Sequence, residues 1–238
     1  MKANPLALAR RLKSKAERTL LDFTARQGGQ CGTRNAQNRD AWLERTLTAI
    51  APGSRILDAG AGELQYKRFC AHLDYISQDF AQYDGKGVGV GLQTGVWDQS
   101  RLDIVSDITA IPEADASFDA VLCVEVLEHI PYPVDALTEL TRLLKPGGVL
   151  VLTAPFCSLT HFAPYFYQTG YSRYFYEYWL GALGYEIVEM DCNGNYFEYL
   201  AQEVRRLPAM GTQFAGLHPS WREAGYAISG EDDGRSAS

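Results

Sequence analysis

The chain lacks any close pair of cysteines. Its five stand singly at 31, 70, 123, 157 and 192, which excludes zinc ribbons and redox dithiols. It also lacks the long apolar stretch of a secretory leader, and no apolar run approaches the roughly 20 residues that span a bilayer. An odd number of thiols without a leader reads as reduced cysteines in a cytoplasmic protein. Basic residues are in deficit: 22 Lys and Arg stand against 29 Asp and Glu, for a net charge of -7. That excludes nucleic acid held on a broad basic surface. Histidine is scarce, with four residues in 238, so each one near a strand end carries weight. Hydrophobic residues, at 46%, are plentiful enough for a sizeable core, and the length suits one α/β domain with additions.

The charge is uneven. Residues 1–26 carry a net +5 and the remainder -12. The segment Pro5–Phe23 reads as a helix with Leu8, Leu12, Ala16, Leu20 and Phe23 on one face. Two readings stand: a helix packed on the domain, or a basic amphipathic helix in peripheral contact with an anionic membrane. A second helix is expected over Arg39–Ile50. Strands then alternate with helices: strand Ser54–Asp58, helix Glu63–His72, strand Tyr75–Gln78, a glycine-rich stretch from Gly85 to Gly95, and strand Leu102–Ser106. Strand Phe118–Cys123 and helix Val134–Leu144 follow, with Lys145-Pro146-Gly147-Gly148 as a stop and turn. Strand Val149–Ala154, helix Tyr174–Leu183, strand Glu186–Met190 and helix Tyr196–Leu207 complete the series. Such alternation predicts an α/β, doubly wound, mainly parallel sheet. The expected divisions are an N-terminal helical cap at 1–50, the α/β domain at 51–210 and a partly disordered extension at 211–238.

A doubly wound sheet binds its ligand beyond the carboxyl ends of its strands. Gly60 and Gly62 follow the first strand, where glycine lets the backbone approach a ligand and take positive φ. Asp79 ends the second strand, 21 residues beyond Asp58. A carboxylate there can accept hydrogen bonds from a ribose diol. Asp107 ends the third strand, where its side chain can take an adenine amino group while the Ile108 N–H meets a ring nitrogen. Each aspartate singly could be a turn cap; three at successive strand ends form a nucleoside site. The dinucleotide fingerprint wants a third small residue, and Gln65 stands there. A pyrophosphate would be repelled by Asp58, whereas a sulfonium and an ammonium would be attracted.

The pieces Leu57-Asp58-Ala59-Gly60-Ala61-Gly62, Asp79, Asp107-Ile108, Ser117-Phe118-Asp119-Ala120-Val121, Glu125-Val126-Leu127-Glu128-His129-Ile130 and Leu143-Leu144-Lys145-Pro146-Gly147-Gly148-Val149-Leu150 occur together in this order. Over about residues 40–190 the chain resembles the class I S-adenosylmethionine-dependent methyltransferases, in particular the group called methyltransferase type 11. The resemblance implies a Rossmann-like sheet of the seven-stranded type, with S-adenosyl-L-methionine as cofactor. It implies that Asp58, Gly60 and Gly62 hold the methionine end, with backbone around Cys123–Glu125, that Asp79 holds the ribose, and that Asp107 with Ile108 holds the adenine. The family's seventh strand has no clear counterpart; Tyr226–Ser229 is a poor one.

Methyl transfer from a sulfonium is an in-line displacement in which alignment carries much of the rate, and a hydroxyl acceptor gains from a base. His129 and His161 are the candidate bases. On a helix, Glu125, Glu128 and His129 occupy i, i+3 and i+4 and share a face, as either a base or metal cluster or merely a helix start with favourable charges. Ten aromatic residues lie between Phe162 and Trp179. Some belong to the core, and the rest are expected to roof an acceptor pocket, with Tyr165, Tyr167, Arg173 and Asn195 as substrate contacts. The first expectation is an O-methyltransferase for a small-molecule or glycan acceptor, with no metal assigned. The alternatives are an aromatic or quinone-like hydroxyl with a divalent metal, or a non-catalytic cofactor-binding subunit.

Overall fold

The computed structural model describes residues 31–85 and 97–215, with side chains as far as residue 206. The expected helix Pro5–Phe23, most of the glycine-rich stretch and the segment Tyr226–Ser229 lie outside the described residues. The chain divides into two compact units, Ala41–Met190 and a second one built from the segments on either side of it.

The elements, in chain order, are α1 (Asn35–Thr48), β1 (Arg55–Ala59), β2 (Asp74–Asp79), β3 (Ile104–Val105), β4 (Phe118–Val124), α2 (Pro133–Leu143), β5 (Leu144–Thr153), α3 (Arg173–Ala182) and α4 (Tyr196–Ala215). Single turns of 3-10 helix cover Lys67–Phe69 and Leu127–His129. The five strands pair in the order β3-β2-β1-β4-β5, all parallel, so chain order reverses between β1 and β4. The doubly wound α/β reading of the sequence is what is found.

Period-two side-chain alternation explains the layers. Ile56, Ala120, Leu122, Val124 and Val151 point to one face, where Leu43 and Leu47 of α1 join Tyr66 and Cys70. Leu57, Ala59, Val121 and Cys123 point to the other, against Leu137, Leu140 and Leu143 of α2. Both faces of the central strands are therefore buried, as parallel sheets require. Proline in the first turn starts α2, and its apolar positions Ala136, Leu137, Leu140 and Leu143 form one buried stripe.

Several expected elements differ. Glu63–His72 is a set of turns with one turn of 3-10 helix at Lys67–Phe69, and Leu64 near its start takes a left-handed φ of 64°. Lys145–Gly148 does not end in a separate turn: β5 starts at Leu144 opposite Phe118, these four residues leave the ladder as a bulge with Gly147 at φ 77°, and pairing resumes at Val149 opposite Ala120. Glu186–Met190 is not a strand. Side-chain bonds hold it instead, with Trp42 Nε1 and Arg45 donating to Glu189 Oε1, while Val188 is almost wholly exposed. Five strands are present among the described residues, and none of the described helices is long and apolar enough to cross a membrane.

In the smaller unit, α4 extends eight residues beyond the expected end at Leu207. Asn195 Oδ1 caps it, accepting from the N–H groups of Phe197 (2.9 Å) and Glu198 (3.2 Å). Gly32 packs on α4 so closely that a Cβ would lie 2.5 Å from the Gln202 nitrogen. Arg205 donates twice to the Cys31 carbonyl, and Asn193 Nδ2 donates to the Asn35 carbonyl.

Candidate active site

The turn after β1 is fixed by β2. The N–H groups of Gly60 and Ala61 both donate to the Gln78 carbonyl at 2.8 Å, and the Gly62 N–H donates to Asp79 Oδ2 at 3.0 Å. Gly60 and Gly62 take φ values of 80° and 52°, and both are closely covered. A Cβ at Gly60 would lie 2.4 Å from Val126 Cγ2, and one at Gly62 would lie 2.7 Å from Trp97 Cζ3. Only glycine fits either position without displacing a neighbour.

Asp58 lies beneath this turn, fully buried, and accepts a hydrogen bond from the Tyr75 hydroxyl. Burial pushes its carboxyl up to about 7, the Tyr75 bond opposes this, and the Asp79 charge adds to it. Asp79 is 6% exposed and already serves the backbone: Oδ1 accepts from the Ala81 N–H at 3.0 Å and from Gln99 Nε2 at 3.2 Å. Burial raises its pKa and its backbone bonds lower it. Asp107 is exposed, with Oδ1 accepting from the N–H and hydroxyl of Thr109, both at 2.8 Å. The Ile108 side chain is buried in the core.

At the end of β4, Glu125 takes φ 54°, and Thr153 of β5 both accepts its N–H and donates its hydroxyl to Glu125 Oε1. This corrects the helical reading of Glu125, Glu128 and His129. A left-handed residue precedes a single 3-10 turn, so Glu125 is drawn toward Thr153 and away from the other two. In its place the loop after β5 brings His161. Glu128 is buried at 1% exposure, and its Oε1 lies 3.7 Å from His129 Nε2 and 3.9 Å from His161 Nε2. The two imidazole centroids are 4.7 Å apart and perpendicular.

Backbone carbonyls orient both rings. His129 Nδ1 is 2.6 Å from the Tyr165 oxygen, and His161 Nδ1 is 2.9 Å from the Leu159 oxygen. A carbonyl only accepts, so each Nδ1 carries the proton and each Nε2 of a neutral ring presents a lone pair. Burial, with the neighbouring His161, lowers His129 to about 4 against the Tyr165 bond, which keeps the ring neutral near pH 7.

An aromatic chain joins the two halves of the site. Trp97 covers Gly62 and meets Phe162 edge-on at 4.8 Å. Phe162 stacks on Tyr83 at 4.1 Å and lies 4.6 Å from His129, and His161 continues to Phe166 at 5.0 Å. Tyr165 packs edge-on against Phe80 at 4.9 Å. Tyr167 is exposed and anchored by its N–H on the Glu128 carbonyl. Arg173 is on the surface of α3, paired with Glu177 one turn on. Asn195 is the α4 cap in the smaller unit, described above. Tyr171 belongs to the core, its hydroxyl donating to the Leu127 carbonyl at 2.7 Å. Sequence reasoning missed Trp97, Tyr83, Gln78 and Tyr75, because no periodicity marks a tryptophan 35 residues downstream as the cover of a glycine turn.

The donor set suits S-adenosylmethionine. Among the described residues, the turn meets the Asp79 carboxylate, Val126 and Trp97, and the buried Asp58 carboxyl lies at the end of the strand that leads into it. Buried carboxyls under glycine N–H groups match a cationic sulfonium, an ammonium and a ribose diol.

A model of the methyltransferase domain matches residues 57–152. The demethylmenaquinone methyltransferase of Renibacterium salmoninarum is 34% identical over 172 residues, covering 70% of this chain and 66% of that protein. The ubiquinone biosynthesis O-methyltransferase of Xanthomonas oryzae pv. oryzae is 38% identical over 104 residues, 42% of this chain and 43% of that one. The chain thus spans about two thirds of the first relative and under half of the second. Among solved structures, the cyclase SpnF has the same fold at a TM-score of 0.50 and 21% identity, covering 81% of this chain and 72% of its own.

Proposed function

Because the chain belongs to the class I S-adenosylmethionine-dependent methyltransferase family, we propose that it methylates a hydroxyl on an aromatic, quinol-like small molecule, with His161 as the base. The observation that carries this reading is the pair of tautomer-fixed Nε2 lone pairs set in an aromatic chain that begins over the cofactor turn. The names of the relatives point the same way, to quinone-type acceptors. A glycan acceptor, the first expectation from the sequence, would want many polar partners, and this chain of rings offers mostly apolar faces.

S-adenosylmethionine, when bound, supplies an electrophilic methyl group on sulfur. Asp79 is placed to accept from its ribose through the outer lone pairs that its backbone bonds leave. Asp58, with its carboxyl raised to about 7, favours the positive charge once it ionises. Asp107 and the Ile108 backbone face the adenine, while Gly60, Gly62 and the Glu125 backbone line the methionine. Trp97, Phe162 and Phe166 hold the acceptor ring flat, with Tyr165 and Tyr167 beside them. His161, more exposed than His129 (22% against 12% at the side chain), takes the hydroxyl proton on Nε2 as the oxygen–carbon bond forms and the sulfur–carbon bond breaks. Glu128, at 3.9 Å, stabilises the resulting imidazolium, and His129 stays neutral and positions the loop through Tyr165.

The SpnF likeness shows that this fold also appears in a protein named as a cyclase, so activity is tested on the chain itself. Methyl-labelled S-adenosylmethionine is incubated with the protein and parallel sets of phenols, reduced quinones and nucleotide sugars. Label is expected on a phenol or quinol oxygen. Label confined to the sugars would contradict the acceptor class, and no label with any acceptor, despite tight cofactor binding, would favour a non-catalytic subunit.

A further inference from the structure

A carboxylate offers about four lone-pair positions, and those of Asp79 are nearly all in use. The Gly62 N–H takes one on Oδ2 at 3.0 Å, and the Ala81 N–H takes one on Oδ1 at 3.0 Å. The Phe80 N–H also favours the charged form. These donors are backbone groups, fixed by the strand end and the turn. The other is a side chain: Gln99 Nε2 donates to Oδ1 at 3.2 Å. A ribose diol brings two further donors to a carboxylate that is only 6% exposed, so one present partner must yield. Gln99 is the one that can turn away, because its backbone is held without its side chain. The Trp97 N–H donates to the Asp84 carbonyl at 3.3 Å, and the Asp98 N–H donates to Glu63 Oε1 at 3.1 Å. Asp98 Oδ1 in turn accepts from the N–H (3.1 Å) and the hydroxyl (2.6 Å) of Ser100. Rotation of one half-buried side chain therefore releases Asp79 while Trp97 stays on Gly62.

We infer that Gln99 is a donor-site residue that trades places with the ribose on Asp79, and so sets how tightly the methyl donor and its product are held. The inference rests on the ribose assignment of Asp79 above. A ribose hydroxyl donates to Asp79 as the Gln99 N–H withdraws, so binding exchanges one hydrogen bond for another. The net gain is smaller than that of a bond to a carboxylate with no such partner. An amide suits this exchange. It satisfies a buried carboxylate without the charge that would let a lysine or arginine keep the ribose out. The reverse exchange favours release of S-adenosylhomocysteine, which carries the same ribose and must leave after each turnover.

Gln99→Leu keeps the bulk of the side chain and removes the N–H. The test is calorimetric titration of the intact chain, wild type and variant, with S-adenosylhomocysteine and with its 2′-deoxy and 3′-deoxy analogues. The variant is expected to bind S-adenosylhomocysteine about three- to tenfold tighter, because no bond to Asp79 has to be given up. For the analogue that lacks the exchanging hydroxyl, the two proteins are expected to agree within about twofold. A residue that merely supports the fold would shift all three ligands alike. Far-ultraviolet circular dichroism checks folding, and Gln99→Ala serves if the leucine variant is not folded. Equal or weaker binding of S-adenosylhomocysteine in the folded variant overturns the exchange, and so does equal tightening of all three ligands. Strong hydroxyl dependence without tightening removes the exchange and leaves Asp79 on the ribose. If neither hydroxyl matters in wild type, the ribose assignment itself falls and takes the inference with it.

Discussion

Replacing Asp79 by Asn tests the ribose assignment with little change in shape. Asp79 holds Gly62 through one oxygen and Ala81 with Gln99 through the other. An amide keeps one oxygen and turns an NH2 toward whatever faced the second. One backbone N–H then loses its acceptor, and a ribose hydroxyl loses a charged one. A hydrogen bond to a charged group is worth about 1.5–3 kcal/mol, so cofactor affinity should fall by roughly 10- to 100-fold. The unliganded fold should suffer less, because Asn removes the burial penalty that raises the Asp79 pKa and this offsets part of the lost bonding. The assay is calorimetric titration of wild type and Asp79→Asn with S-adenosylhomocysteine, alongside thermal melts. Affinity within twofold of wild type in a folded variant would refute the ribose role. A collapse of the melt with affinity retained would make Asp79 a structural acceptor only.

Other consequences follow from the same geometry. Gly62→Ala places a Cβ against Trp97 at a φ of 52°, so Trp97 must move; its fluorescence should shift and cofactor affinity fall at least tenfold, and an unshifted spectrum contradicts the packing. Asp58 is held up to about 7, above its unfolded value of roughly 4, so the stability it contributes is full below pH 4 and is lost as pH rises to 7. Melts of wild type against Asp58→Asn should diverge over that window. Cofactor affinity should show the opposite sign, rising from pH 6 to 8 as the carboxylate forms, and a flat profile contradicts a contact between Asp58 and the cationic cofactor. Tyr171→Phe removes a buried bond to the Leu127 carbonyl and should cost about 1–3 kcal/mol of stability by chemical denaturation, whereas an unchanged midpoint means the carbonyl is satisfied otherwise.

The residues expected at the cofactor lie closer together in the fold than those expected at the acceptor. Asp58, Gly60, Gly62 and Asp79 belong to one local strand-turn unit, where spacing along the chain translates directly into position. The helix expected at Glu63–His72 is replaced by turns and a single 3-10 turn, with Leu64 in a left-handed conformation that composition does not reveal. The strand expected at Glu186–Met190 is instead an irregular segment whose Glu189 is bound by the Trp42 and Arg45 side chains, and it pairs with none of the described strands. The face shared by Glu125, Glu128 and His129 presupposed a helix, and one positive φ at Glu125 dissolved it. Which of the ten aromatic residues from Phe162 to Trp179 line the site depends on loop packing. Phe162 and Phe166 meet the histidines, while Tyr171 and Phe175 meet the core. Trp97 reaches Gly62 only through the fold.

The central claim is methyl transfer to a hydroxyl with His161 as the base. It is tested most directly by single-turnover transfer of labelled methyl to a phenolic or quinol acceptor, in wild type and His161→Ala at saturating donor. General-base catalysis is typically worth about 10²–10⁴ in rate, so the variant should lose at least a hundredfold in transfer rate at unchanged donor affinity and regain part of it as pH rises and the acceptor ionises by itself. Equal transfer rates in the two proteins across the pH range would contradict the account.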